Sequence, residues 1–140
     1  KYQIVDQYSY RHGISQSVMA AMYTASDVLL SATMGEGFGI PVIEAQACGT
    51  RVIVSNFSAQ PELVGDGWIV DGQPWWDQAQ NSWFFTPRVT GILDALKSAY
   101  EAPRSRSEKA IAHAAQYQAD RVFDEFWKPA MKELASWCRL

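Results

Sequence analysis

The sequence predicts an α/β fold, a Rossmann-like three-layer domain with a mainly parallel sheet. Three observations carry this expectation. The apolar run Val28 to Ala32 leads into a glycine-rich turn, MGEGFG, and then a helix start marked by Pro41. The apolar run Arg51 to Ser55 follows that helix, which completes the order strand, tight loop, helix, strand. Hydrophobic residues make up 48% of the 140, enough to build the core of a single domain over 1–140.

Taken in order, Tyr2 to Val5 reads as a short strand and Asp6 to Gly13 as the loop that leaves it. Ser15 to Ala25 reads as a helix, because Val18, Ala21, Met22 and Ala25 recur at helical spacing; Ser15 or Ser17 caps it. The run after Asp27 does not alternate, which fits a strand buried on both faces. Pro41 suits the first position of a helix to Ala47, and Gly49 suits a left-handed cap beyond it. Arg51 to Ser55 is the next strand and Asn56 to Gln60 a loop. Pro61 precedes a short helix, Glu62 to Val64. Gly65 to Gly67 is a turn and Trp68 to Val70 a strand.

The second half has a looser pattern. Gly72 to Ser82 is polar but holds two tryptophans, and reads as a loop or insertion before a short strand, Trp83 to Phe85. Thr86 and Pro87 have the character of an N-cap and first helical residue. The helix they open carries an apolar stripe through Val89, Ile92, Leu93, Leu96 and Tyr100. Pro103 breaks the helical pattern beyond Tyr100, and Ser105 to Glu108 has capping-box spacing. An alanine-rich helix to about Ala119 comes next. The last helical stretch, about 120–139, contains Pro129, which should kink or split it.

Composition excludes several classes. Charged residues are 19% and the net charge is -3, with no basic patch, so nucleic acid is not an expected partner. No apolar run approaches membrane-spanning length, which leaves peripheral association as the form a membrane contact would take. The N-terminus lacks the apolar region of a signal peptide. Cys48 and Cys138 are isolated thiols outside any metal-ligand spacing, in keeping with a cytoplasmic, reducing setting. The chain starts without methionine at what reads as a strand, and is expected to be part of a longer protein.

The chemistry concentrates in EGFGIPVIEAQACG, Glu36 to Gly49. Glycines at 35, 37 and 39 let backbone N–H groups approach a ligand, and a helix N-terminus suits phosphate. Glu36 in the loop and Glu44 in the helix supply carboxylates that accept hydrogen bonds from hydroxyls. A phosphate site flanked by hydroxyl acceptors describes a sugar nucleotide. A glycine-rich turn that merely closes the fold, with Glu44 on the surface, accounts for the same spacing equally well.

The segment Ala25 to Val54 closely resembles the signature of retaining glycosyltransferases of the GT-B fold, and more narrowly that of family 4. The Glu, seven residues, Glu motif of that family, EGFG-x-P-x-x-E-A, stands complete at Glu36 to Ala45. Tyr23, Ala25 and Asp27 upstream, and PELVGDG at Pro61 to Gly67 downstream, resemble two further family segments. The resemblance implies the C-terminal, donor-binding half of a GT-B enzyme. Such an enzyme moves a sugar from a nucleotide-diphosphate sugar to an acceptor with retention of anomeric configuration. It implies that Glu36 contacts the donor sugar near the reacting carbon, and that main-chain groups of Gly37, Phe38, Gly39 and Ile40 hold sugar and phosphate. Glu44 would accept hydrogen bonds from the ribose. Gln7 and Tyr8 would line the nucleobase, and Ser58 would lie at the edge of the donor site. No metal or other cofactor is implied.

The acceptor, a sugar, lipid or protein, would be bound by an N-terminal GT-B domain missing from this chain. The Arg and Lys for the diphosphate would come from a segment before this chain's first residue, and neither Lys1 nor Arg11 matches them by position. The isolated chain is therefore expected to be inactive, with the last helical stretch packing on the missing domain. Two other readings stand beside this one. The first is a different GT-B enzyme, such as a sugar-nucleotide epimerase. The second is a non-catalytic nucleotide-sugar or carbohydrate binding module. Among the remaining residues, His12 and His113 read as surface and helical residues, and Cys48 as a small core residue. Glu62 serves either helix-end charge or a ligand. Trp75, Trp76 and Trp83 read as loop packing ahead of sugar stacking. Phe123, Phe126, Trp127 and Trp137, at helical spacing, read as core or interdomain packing.

Overall fold

A computed structural model describes residues 4 and 6–138. The strand expected over Tyr2 to Val5 lies, apart from Ile4, outside the described residues. Three parallel strands form the sheet, β1 (Val28–Ser31), β2 (Arg51–Ser55) and β3 (Gly67–Val70), in the order β1-β2-β3. The register pairs Leu29 with Val52 and Ile53 with Trp68. Period-two alternation on β2 then divides the core. Val52 and Val54 face α3 (Ile40–Ala47), where they cluster with Val42, Ala45 and Leu63. Ile53 faces the other way, against Val70 and Ala95 of α4 (Val89–Glu101). Helix, sheet and helix are the three layers expected.

Close approach sets the residue at 67: a Cβ there would fall on the Val52 carbonyl, so only glycine lets β3 pair with β2. Ser15 caps α2 (Gln16–Thr24) by accepting from Val18 N at 3.3 Å. Gly49, at φ 81°, takes the left-handed position after α3.

Several expectations are corrected. Within Asp6 to Gly13, read as a loop, Gln7–Arg11 forms a short helix, α1. β1 is not buried on both faces: Leu30 is exposed, and among the described residues β1 is one of the two end strands of the sheet. The stretch Gly72 to Ser82 is no loop. It forms most of an antiparallel hairpin, β4 (Gly72–Asp77) and β5 (Ser82–Pro87), pairing Trp75 with Phe84 and Trp76 with Trp83. Cross-strand aromatic pairs stabilise a ribbon that lacks a hydrophobic alternation of its own. The turn is closed by Asp77, whose carboxylate accepts from Ala79 N and Gln80 N at 2.7 and 3.0 Å. Thr86 and Pro87 belong to β5, so α4 begins at Val89 behind Arg88 with no side-chain cap. The buried face of α4 is Ile92, Ala95, Leu96 and Ala99, leaving Val89, Leu93 and Tyr100 exposed.

Ser107, rather than Ser105, caps α5 (Glu108–Ala114), accepting from Ala110 N. A 3-10 turn, Ala115–Tyr117, follows. The last stretch comprises α6 (Ala119–Val122), a π-helical turn Phe123–Trp127, and α7 (Lys128–Trp137). Pro129 does not split it. The missing N–H of Pro129 frees the carbonyl four residues back, and the widened π turn sits there. Phe123, Phe126, Trp127 and Trp137 are exposed and contribute nothing to the core of this chain. Among the described residues, no helix is long and apolar enough to cross a membrane.

Candidate functional site

Because the three strands run parallel, the segments following β1, β2 and β3 leave the sheet at one end, where α/β folds bind ligands. The glycine-rich loop, 32–39, leaves β1 there and enters α3. Gly39 is the N-cap in the left-handed region, φ 96° and ψ 52°. A Cβ on it would stand 3.2 Å from Leu63 Cδ1. Both conformation and space call for glycine. No side chain caps α3, and Pro41 in its first turn carries no N–H. The helix N-terminus is therefore not occupied by a side-chain oxygen. Nothing lies within 4 Å of where a Cβ on Gly37 would be, so the loop backbone faces open space there.

The loop is held from below. Ser55 Oγ donates to Thr33 O at 2.6 Å. Fully buried Gln60 donates to Ser31 O at 2.8 Å while its Oε1 accepts from Ser55 N at 3.0 Å. Glu36 N donates to Ser58 Oγ at 3.0 Å. Ser58 adopts φ 53°, a left-handed conformation costing a non-glycine residue roughly 1–2 kcal/mol. The bond to Glu36 is what that strained residue contributes to the site. Ser58 and Glu36, read separately from the sequence, are thus brought together.

Glu44 stands in the second turn of α3, exposed, with Oε2 accepting from Tyr23 Oη at 3.0 Å. One carboxylate oxygen is oriented by α2, and an ionised carboxylate has acceptor capacity beyond that single bond. A groove of about 410 Å³ runs beside Glu44 between α3 and α5. Phe38 closes toward Tyr117 edge-to-face, with ring centroids 5.8 Å apart. Ile40 is exposed beside it. Gln7 and Tyr8 are exposed on α1, and the ring contact of Tyr8 is with His12 at 4.6 Å. None of the described hydrogen bonds or ring contacts joins them to the glycine-rich loop.

Another cleft of about 410 Å³ lies at the opposite end, lined by Asp27, Val28, Thr50, Arg51 and Arg106 among others. It sits where β1 and β2 begin, and two of its guanidinium groups are committed to the fold. Arg51 pairs with Asp66 at 3.0 Å and donates to Pro103 O at 2.9 Å; Arg106 donates to Cys48 O at 3.0 Å. The site is therefore assigned to the carboxyl end of the strands.

Besides the ties through Ser55, Ser58 and Gln60, three more supports of the site escaped the sequence reading. The tie between Tyr23 and Glu44 has a signal only in the pairing of α2 with α3. Met34 O accepts from Phe85 N at 3.0 Å, which joins the loop to β5. Gln46, fully buried, donates to Val42 O and Leu63 O and accepts from Gly65 N and Asp66 N. It fastens α3 to the segment after the 3-10 helix Gln60–Leu63. His113 packs against Tyr117, with ring centroids 5.6 Å apart, as a helical residue should.

The family model described as "Glycosyl transferases group 1" matches residues 1–116. The chain is 30% identical over 112 residues to a D-inositol 3-phosphate glycosyltransferase of Mycobacterium leprae, covering 79% of this chain and 24% of that protein. It is 34% identical over 124 residues to the protein of that name from Streptomyces bingchenggensis, covering 85% of this chain and 27% of that protein. Over a shorter stretch of 49 residues it is 41% identical to the O-antigen chain mannosyltransferase B of Escherichia coli, covering 35% and 13%. The chain spans about a quarter of the length of the inositol phosphate glycosyltransferases it matches.

Proposed function

This chain belongs to the glycosyl transferases group 1 family, and we propose that it is the donor-binding half of a retaining, nucleotide-sugar-dependent glycosyltransferase. The observation that carries this reading is the placement of the two glutamates. Glu36 is clipped through its backbone to Ser58, and Glu44 is oriented by Tyr23, on either side of an uncapped helix N-terminus. A diphosphate gains most from that terminus, and hydroxyls gain most from the carboxylates.

In this reading Glu44 accepts hydrogen bonds from the ribose. The main chain at Gly37, Phe38, Gly39 and Ile40 holds sugar and phosphate. Glu36 contacts the donor sugar beside the reacting carbon. The bond from the anomeric carbon to the diphosphate oxygen breaks as the acceptor hydroxyl arrives on the same face, and a diphosphate oxygen takes the acceptor's proton. The protein supplies positioning and charge stabilisation. The reaction so described calls on no metal or other cofactor. A preceding domain would complete the acceptor site, a preceding segment would bring cations to the diphosphate, and the cytoplasm would supply the sugar nucleotide.

The test is turnover of the full-length protein with a panel of nucleotide sugars, with product stereochemistry read from the anomeric proton by NMR. Retention is expected, with Glu36→Ala lowering kcat at least about a hundredfold, the size of one lost transition-state contact. An inverted product, or a Glu36→Ala variant with unchanged kcat, would overturn the reading.

A further inference from the structure

The β4–β5 hairpin begins just after Asp71, at the carboxyl end of β3, on the same side of the sheet as the glycine-rich loop. Its root is fastened to that loop. Phe85 N donates to Met34 O, and the Phe85 ring stacks on Phe57 with centroids 5.3 Å apart and planes 4° off parallel. Phe57 lies 3.7 Å from where a Cβ on Gly35 would be. The antiparallel register places Trp76 and Trp83 on the same hairpin face as Pro74 and Phe85. A row of aromatic rings therefore runs outward from the loop through Phe57 and Phe85 to the Trp76–Trp83 pair.

That pair is not core. Its rings meet edge-to-face, 5.4 Å apart at 71°, and Trp76 and Trp83 are 44% and 57% exposed. An edge-to-face pair leaves ring faces open. The hairpin carries one charged side chain, Asp77, and its carboxylate is spent on the turn. An anionic ligand or an acidic lipid surface finds no cation on it, whereas a neutral, polyhydroxylated ring suits it. The C–H face of a pyranose covers indole while its hydroxyls stay in water.

We propose that the β4–β5 hairpin is a platform for a neutral saccharide, which stacks on Trp76 and Trp83 and presents its hydroxyl to the glycine-rich loop as the acceptor. The acceptor role rests on the donor-site reading above; the saccharide contact does not. Position selects the occupant: the ring track ends at the loop where a donor sugar would react.

The test uses the full-length protein and a panel of neutral mono- and disaccharides, with binding read by ligand-observed NMR and nucleoside diphosphate affinity read separately by calorimetry. The Trp76→Ala/Trp83→Ala variant is expected to weaken saccharide binding about tenfold or more, the scale of one lost stacking contact. Trp83→Phe should keep most of it, and nucleoside diphosphate affinity should not move. Trp83→Gln, a single change at the more exposed ring, serves if the double variant does not fold. Equal saccharide affinity in wild type and variant would overturn the platform. So would wild type that binds no saccharide of the panel, or hairpin-dependent binding to phosphatidylcholine vesicles instead. Saccharide binding lost in the variants, in a protein that binds no nucleotide, would keep the platform and remove the donor reading. Nucleotide binding without a saccharide effect would do the reverse.

Discussion

Replacing Gln46 with leucine keeps the side chain's bulk and removes its polar end. Gln46 is fully buried and makes four hydrogen bonds: Nε2 to Val42 O at 3.0 Å and Leu63 O at 2.6 Å, and Oε1 from Gly65 N at 2.7 Å and Asp66 N at 3.2 Å. Val42 O lies within α3 and keeps its helical partner. The other three groups belong to the segment that returns across α3 and lose this partner. Each buried group left unsatisfied costs about 1–3 kcal/mol, and the lower figure applies because Gly65 and Asp66 are half-buried. The expected loss is about 3 kcal/mol, a large share of the roughly 5–15 kcal/mol of a typical domain. Urea unfolding followed by circular dichroism reads it as a lower midpoint at unchanged slope. A loss under about 1 kcal/mol would refute the view that Gln46 fastens the two segments.

Two further outcomes are expected. Gly39→Ala forces a side chain into φ 96° against Leu63, so stability should fall by about 1–2 kcal/mol and nucleotide affinity should fall with it; unchanged thermal unfolding would contradict this. Tyr23→Phe frees Glu44 without touching the core, so calorimetry should show about fivefold weaker nucleoside diphosphate binding with little change in unfolding midpoint.

The half of the chain with the βαβ signature was legible because its signals are local. Pro41, Gly49 and the two apolar runs act within a few residues, and the structure places α3, β2 and the left-handed cap accordingly. The hairpin was not legible because its stability comes from cross-strand pairs, Trp75 with Phe84 and Trp76 with Trp83, which a linear reading cannot register. Thr86 and Pro87 carry cap chemistry, yet pairing with Gly72 and Gln73 holds them in β5. The exposure of Leu30 on β1 depends on which elements pack over that face, a property of topology rather than composition. At the candidate site, the supports of the residues singled out in the sequence were not legible. The bonds from Tyr23 to Glu44 and from Glu36 to Ser58 each span more than twenty positions.

Donor binding through the two glutamates is the central claim, and calorimetric titration of the full-length protein with uridine, guanosine and adenosine diphosphates, wild type against Glu44→Ala, tests it most directly. One nucleotide should bind the wild type, and Glu44→Ala should weaken it about tenfold or more through loss of the ribose contacts. No binding of any of the three, or equal affinity in the two proteins, would contradict it.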